Sequence, residues 1–119
     1  MGTKFTEPVA SAVLADPGDV AQPAVNTAAV VTYGAVAGQA HAITGIAYSY
    51  NAAPTGGNLK IEDGAGTTVF SQDIAAAGPG VVLFNPAKIG TAGRALIVTL
   101  AAAGAAVTGK ISILNHWVE

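Results

Sequence analysis

Short turn signals divide this chain, from residue 28 onward, into a series of strand-forming segments. The run Asp63-Gly64-Ala65-Gly66 is typical of a hairpin, because Asp-Gly supports the positive backbone angles that two-residue hairpin loops need. The stretch 51–57 combines one proline with two glycines, and Gly78-Pro79-Gly80 marks a further turn. Turns at spacings of about 8–12 residues predict an all-β protein, an antiparallel, jelly-roll-like sandwich or barrel. The choice between sandwich and barrel stays open.

The segment 41–50 shows the strand pattern most clearly. Ile46, Tyr48 and Tyr50 project to one side of an extended chain, whereas Ile43 projects to the other. About seven strands are predicted in all, over residues 28–35, 41–50, 58–62, 67–74, 81–84, 94–101 and 107–118.

Two local features set limits on these strands. Pro86 is expected to end the fifth strand and to begin a loop over 86–93, since proline cannot donate to a strand ladder. A helix over 101–106 is the competing interpretation of an alanine-rich stretch, but six residues are too few to nucleate a helix and one of them is glycine.

Residues 1–27 differ from the rest and are interpreted as an extended N-terminal arm that precedes a β-domain at 28–119. Prolines at positions 8, 17 and 23 interrupt any helix, and no strand period runs through the segment. Phe5, Val9, Val13 and Leu14 give it apolar side chains that a solvated tail would not need, so we expect them to anchor contacts with neighbouring proteins. A floppy terminus is the alternative.

Charge is scarce in this chain. Charged residues make up 10% of the sequence, whereas a soluble domain usually has about 25%. The basic residues are scattered and form no patch, which argues against nucleic acid as a partner. No apolar stretch approaches the roughly 18 residues of a membrane helix, so no membrane partner is expected. Low charge suits a surface that neighbours cover, because the cores of assembly interfaces are depleted in charge.

Groups that carry chemistry are few. The chain has no cysteine, and His41 and His116 are its two histidines, whereas a zinc site needs three or four ligands. Glu62 and Asp63 are adjacent and would point to opposite sides of a strand, unlike the paired carboxylates of a glycosidase. No serine lies in a Gly-x-Ser-x-Gly elbow. We therefore expect no enzyme activity, no metal and no cofactor.

Aromatic residues offer one possible ligand platform. Tyr48 and Tyr50 share a strand face, and with Trp117 they could stack against a sugar, as in carbohydrate-binding modules. The same spacing suits core packing with the hydroxyl groups at the rim, which we favour.

Three stretches, residues 43–59, 77–84 and 100–113, resemble small structural proteins of tailed bacteriophages, of the head decoration or cement type. The resemblance implies a β-sandwich or barrel made in the host cytoplasm and carried on the capsid exterior of the virion. It further implies a homotrimer at junctions between subunits of the major capsid protein, with the N-terminal arm across neighbours. No binding residue carries over, since the resemblance is one of strands and turns. The alternatives are a carbohydrate-binding β-sandwich on a phage surface or tail appendage, and a secreted β-domain with another role.

Overall fold

The structure is a computed structural model that describes residues 17–119. In this range a single 3₁₀ turn (Pro17–Asp19) precedes nine strands, and no α-helix occurs. The strands are β1 (Val20–Ala21), β2 (Ala29–Tyr33), β3 (His41–Tyr50), β4 (Gly57–Asp63), β5 (Thr68–Ile74), β6 (Gly78–Ile89), β7 (Leu96–Leu100), β8 (Gly109–Leu114) and β9 (Trp117–Val118).

The strands form two antiparallel sheets in a sandwich-like arrangement. The first sheet has the order β6-β3-β8-β1, and β9 continues the line of β8 along the same side of β3. The second sheet has the order β2-β7-β4-β5. The predicted all-β, antiparallel class is therefore confirmed.

The hydrophobic core lies between the sheets and follows the alternation of the sequence. In β4, Leu59 and Ile61 are buried and the residues that alternate with them are half-buried, as a strand with one face in the core requires. Each fully buried aliphatic side chain contributes about 1.5–3 kcal/mol relative to exposure. The fully buried large residues are Ile43, Ile46, Tyr50, Leu59, Ile61, Leu96, Val98, Leu100 and Ile111.

A break in the pairing of β3 with β6 corrects one sequence expectation. Ile43 was predicted to face away from Ile46, yet both are fully buried in the same core. Ile43 pairs with Lys88 and Gly45 with Leu83, so residues 84–87 of β6 lie opposite Thr44 alone. The alternation of side chains does not continue through such a break, so residues three positions apart can face the same side.

The fifth predicted strand is longer than expected. Gly78-Pro79-Gly80, predicted as a turn, belongs to β6 and pairs with Tyr48 to Tyr50. Pro86, predicted to end the strand, lies inside β6, which continues to Ile89. Pro79 is tolerated because β6 is an edge strand, where a missing N–H need not interrupt a ladder. Pro86 lies among residues 84–87, where the register with β3 shifts and no regular ladder is formed.

The described end of the predicted arm lies along the β-domain. Val20 and Ala21 pair with Ser112 and Ile111 at the edge of the first sheet. The Asn26 N–H donates to Val107 O at 2.8 Å, and Asn26 Oδ1 accepts from the Gly104 N–H at 3.3 Å. The predicted anchors Phe5, Val9, Val13 and Leu14 lie outside the described residues, so their role stays a prediction.

Candidate functional site

The outer side of the first sheet carries small and apolar side chains, and it is called the apolar face below. Its central strand, β3, contributes small residues, so the face forms a shallow trough between β6 and β8. Strand register defines its members: Val20, Ala42, Gly45, Ala47, Ser49, Pro79, Val81, Leu83, Ile89, Lys110, Ser112, Leu114 and Trp117.

Large apolar side chains on this face are open to solvent. Val81 is 59% exposed and Leu83 is 71% exposed, although both belong to a regular part of β6. Leu83 and Leu114 flank Gly45, where a Cβ atom would lie 3.0 Å and 3.1 Å from their Cδ atoms and 2.8 Å from Val82 O. Glycine at this position therefore lets the two leucines approach each other across β3.

The outer side of the second sheet has the opposite character and is called the polar face. Lys60 and Glu62 form an ion pair at 3.8 Å, and the Asn58 amide donates to Ser71 Oγ and Asp73 Oδ1, each at 3.0 Å. On the apolar face, by contrast, the charged side chains of residues 17–119 lie at the margins: Lys110 on β8, and Glu119, whose carboxylate accepts from the Trp117 indole N–H at 2.8 Å. Contiguous exposed apolar surface of this kind usually marks an interaction site.

The structure separates the three predicted platform residues. Tyr50 is 1% exposed, and its hydroxyl group donates to Ala101 O at 2.7 Å. Burial raises the pKa of Tyr50. Tyr48 is half-buried and packs against the core, while its hydroxyl group accepts from Gln72 Nε2 at 3.4 Å. Trp117 is exposed but pairs with Ala42, near the opposite end of β3. These rings share no common surface.

Two histidines that lie far apart in the sequence meet where β9 pairs with β3. His41 Nδ1 and His116 Nε2 are 2.9 Å apart, and His41 Nε2 is 2.6 Å from Gly34 O. A carbonyl oxygen can only accept, so His41 carries a proton on Nε2, and in the neutral ring its Nδ1 accepts from the His116 Nε2–H. The Tyr33 ring stacks on His116 with centroids 3.6 Å apart, and its hydroxyl group donates to the Asp19 carboxylate.

This cluster of Asp19, Tyr33, His41 and His116 joins four parts of the chain. Sequence reasoning placed His41 at the start of a strand and His116 at the rim of the domain, and did not connect them. The signal that brings them together is the pairing of Val118 with His41, a register that cannot be read from a sequence in which the two histidines lie 75 positions apart.

Asp63 fixes the loop between β6 and β7 to the end of β4. Its carboxylate accepts from the Thr91 N–H at 2.9 Å and from the Thr91 hydroxyl group at 2.5 Å. These hydrogen bonds to the ionised form hold the pKa of Asp63 below its usual value. The Gly90 N–H of the same loop donates to His41 O at 2.9 Å, so the loop also contacts the first sheet.

Within residues 17–119, no three histidine, cysteine or acidic side chains converge as metal ligands. Over the same residues, no helix is long and apolar enough to cross a membrane.

Comparison with known proteins identifies no relative. No family model matches the chain, and a search of curated proteins finds no significant match. The apolar face and its contrast with the polar face are therefore the observations from which a function can be argued.

Proposed function

We propose that this protein is a virion structural protein that decorates and stabilises a bacteriophage capsid, bound to the major capsid protein as a homo-oligomer. The apolar face carries the proposal, because within residues 17–119 it holds the two most exposed large apolar side chains, Val81 and Leu83. The resemblance of residues 43–59, 77–84 and 100–113 to head decoration proteins supports the same function.

The energetics of the apolar face suit a repeated contact. Burying side chains as exposed as Val81 and Leu83 gains about 1–2 kcal/mol each. The small residues of β3 allow a partner's backbone to approach closely, and Lys110 at the margin leaves the centre of the face free of charge. In a symmetric shell the same modest contact recurs at every equivalent position, so many weak contacts add up to a stable coat.

The two faces suggest an orientation. The polar face, with Lys60, Glu62 and Asp73, satisfies its own polar groups and is suited to water. The apolar face is the side proposed to meet the capsid subunits.

Capsid attachment of two matched variants tests this assignment. Ser112→Arg places a charge on the apolar face, away from β6, and Thr32→Arg places the same charge on the polar face. Capsids that lack the protein, taken from the phage that encodes it, are mixed with each variant, and the copies bound per capsid are counted after sedimentation. Wild type and Thr32→Arg are expected to reach the same occupancy, whereas Ser112→Arg binds at least about tenfold more weakly, since an unpaired charge would be buried. Equal occupancy of both variants, or no attachment of the wild type, would contradict the proposal.

A further inference from the structure

The free side of β6 is the feature of the described chain that most needs a partner. In the region 17–119, β6 pairs with β3 on one side and no strand pairs with its other side. It runs alongside β3 from Tyr50 to Ala42, over about 27 Å of extended chain. Natural edge strands are usually kept short, charged or covered, because a long apolar edge is a template for pairing with another chain.

The sequence of β6 lacks the usual protection against such pairing. No charged residue occurs between positions 74 and 87. Lys88 follows, but its Nζ lies 5.8 Å from the centre of the Phe84 ring, over the strand's own aromatic residue. Pro79 and Pro86 flank residues 80–83, where β6 keeps a regular register with β3, and this part of the edge is left able to pair.

Proline also indicates which backbone groups face the open side. In a sheet, proline occupies edge positions whose N–H would point away from the neighbouring strand. Pro79 pairs with Ser49, and its nitrogen faces the open side of β6. Val81 and Leu83 lie two and four residues further along the strand, so their backbone groups have the same orientation as those of Pro79. The N–H and C=O groups of Val81 and Leu83 are thus directed toward the open side.

We propose that this side of β6 pairs with β6 of a second copy, antiparallel, about a two-fold axis at Val82. Val81 of each copy then lies opposite Leu83 of the other, and the two residue pairs exchange four backbone hydrogen bonds. The inference deepens the proposed function, since it rests on self-association and names the strand responsible for it.

A second copy fits this edge better than an unrelated strand for two reasons. In the two-fold register Pro79 lies opposite Asn85 and Gly78 opposite Pro86, so the prolines of both copies lie outside the central pairs formed by residues 81–83. The stretch is uncharged, so pairing it with itself brings no like charges together. The axis is perpendicular to the sheet, and the apolar faces of the two copies therefore lie on the same side, with their Val81 and Leu83 side chains adjacent.

The solution mass of the purified full chain tests the pairing without any capsid. Val81→Pro removes a donor on the open side and repeats the arrangement already tolerated at Pro79, while Leu83→Lys introduces a charge at an exposed position. Val30→Lys, on the polar face, is the matched control. Wild type and Val30→Lys are expected to shift from monomer to dimer as the concentration rises, with the dissociation constants of Val81→Pro and Leu83→Lys at least about tenfold higher.

Hydrogen exchange keeps the test decisive if a variant fails to fold. In the wild type, the amides of Val81 and Leu83 are expected to exchange more slowly at high than at low concentration, whereas β5 amides are unaffected. A mass that stays monomeric, a homotrimer, or a dimer that both variants keep would overturn the pairing. Capsid attachment by a monomer contradicts the pairing and the homo-oligomer but leaves capsid decoration supported, and a dimer that does not attach contradicts capsid decoration alone.

Discussion

At the scale of single residues, a few polar groups hold together segments that the core does not reach. Asp63 is such a residue: it is 8% exposed, and both oxygens of its carboxylate accept hydrogen bonds from Thr91. Because the folded pKa lies below the unfolded value, the ionised carboxylate stabilises the fold above the unfolded pKa of about 3.9. That stabilisation is lost as the pH falls through the folded pKa.

We therefore expect Asp63→Asn to lower the free energy of unfolding by about 1–2 kcal/mol at neutral pH, since a hydrogen bond to a charged acceptor is lost. The difference from wild type should stay constant down to about pH 5 and shrink below about pH 4. Urea unfolding at neutral pH and near pH 3 measures both quantities. Asp73→Asn, at an exposed position on β5, is the control and should change stability by less than about 0.5 kcal/mol. A deficit that persists undiminished at pH 3 would show that Asp63 acts by another route.

At the scale of elements, sequence periodicity predicted what depends on local chemistry. The alternation in β4 and the apolar run of β7 predicted the first and last residues of these two strands to within two positions. The prediction succeeded because a side chain's polarity follows from the face of the sheet that it occupies. The break in register at Thr44 and the full length of β6 could not be predicted, since both depend on which strand lies alongside.

The candidate site was predictable only in part for the same reason. Low charge indicated a surface covered by neighbours, but the apolar face is defined by pairs such as Gly45 with Leu83 and Leu114. Those two pairs bring together residues that lie 38 and 69 positions apart in the sequence. The contact of His41 with His116 likewise follows from strand register.

The histidine cluster should stabilise the C-terminal strand more than the rest of the fold. His116→Ala removes the donor to Nδ1 of the buried His41, and an unsatisfied buried acceptor costs about 1–3 kcal/mol. Ala40 and Glu119 exchange backbone hydrogen bonds at 2.8 Å and 2.9 Å beside the cluster, so their amides should exchange faster in the variant.

Hydrogen exchange with urea unfolding measures this effect. His116→Gln keeps an N–H donor at the position and should recover part of the loss, whereas Lys110→Ala, at the exposed margin of β8, should leave both amides unchanged. Unaltered exchange at Ala40 and Glu119 in His116→Ala would show that backbone pairing alone holds β9.

At the scale of the whole molecule, the distribution of charge matters more than its amount. The net charge is −2, and the ionisable groups of the sheets lie mainly on the polar face. The two surfaces proposed for contact, the apolar face and the open side of β6, carry almost none. Long-range attraction should therefore contribute little to association, and specificity must come from shape and backbone pairing.

This distribution predicts how association responds to solution conditions. Salt screens contacts between exposed charges over about 10 Å at 0.1 M, but it does not weaken the burial of apolar surface. The dissociation constants for self-association and for capsid attachment should thus change by less than about threefold between about 0.05 and 0.5 M NaCl. Calorimetry should give a negative heat-capacity change on association, as buried apolar area requires. A steep loss of attachment with salt would instead place the contact on charged groups, of which the polar face has the larger share, and would reverse the proposed orientation of the molecule on the capsid.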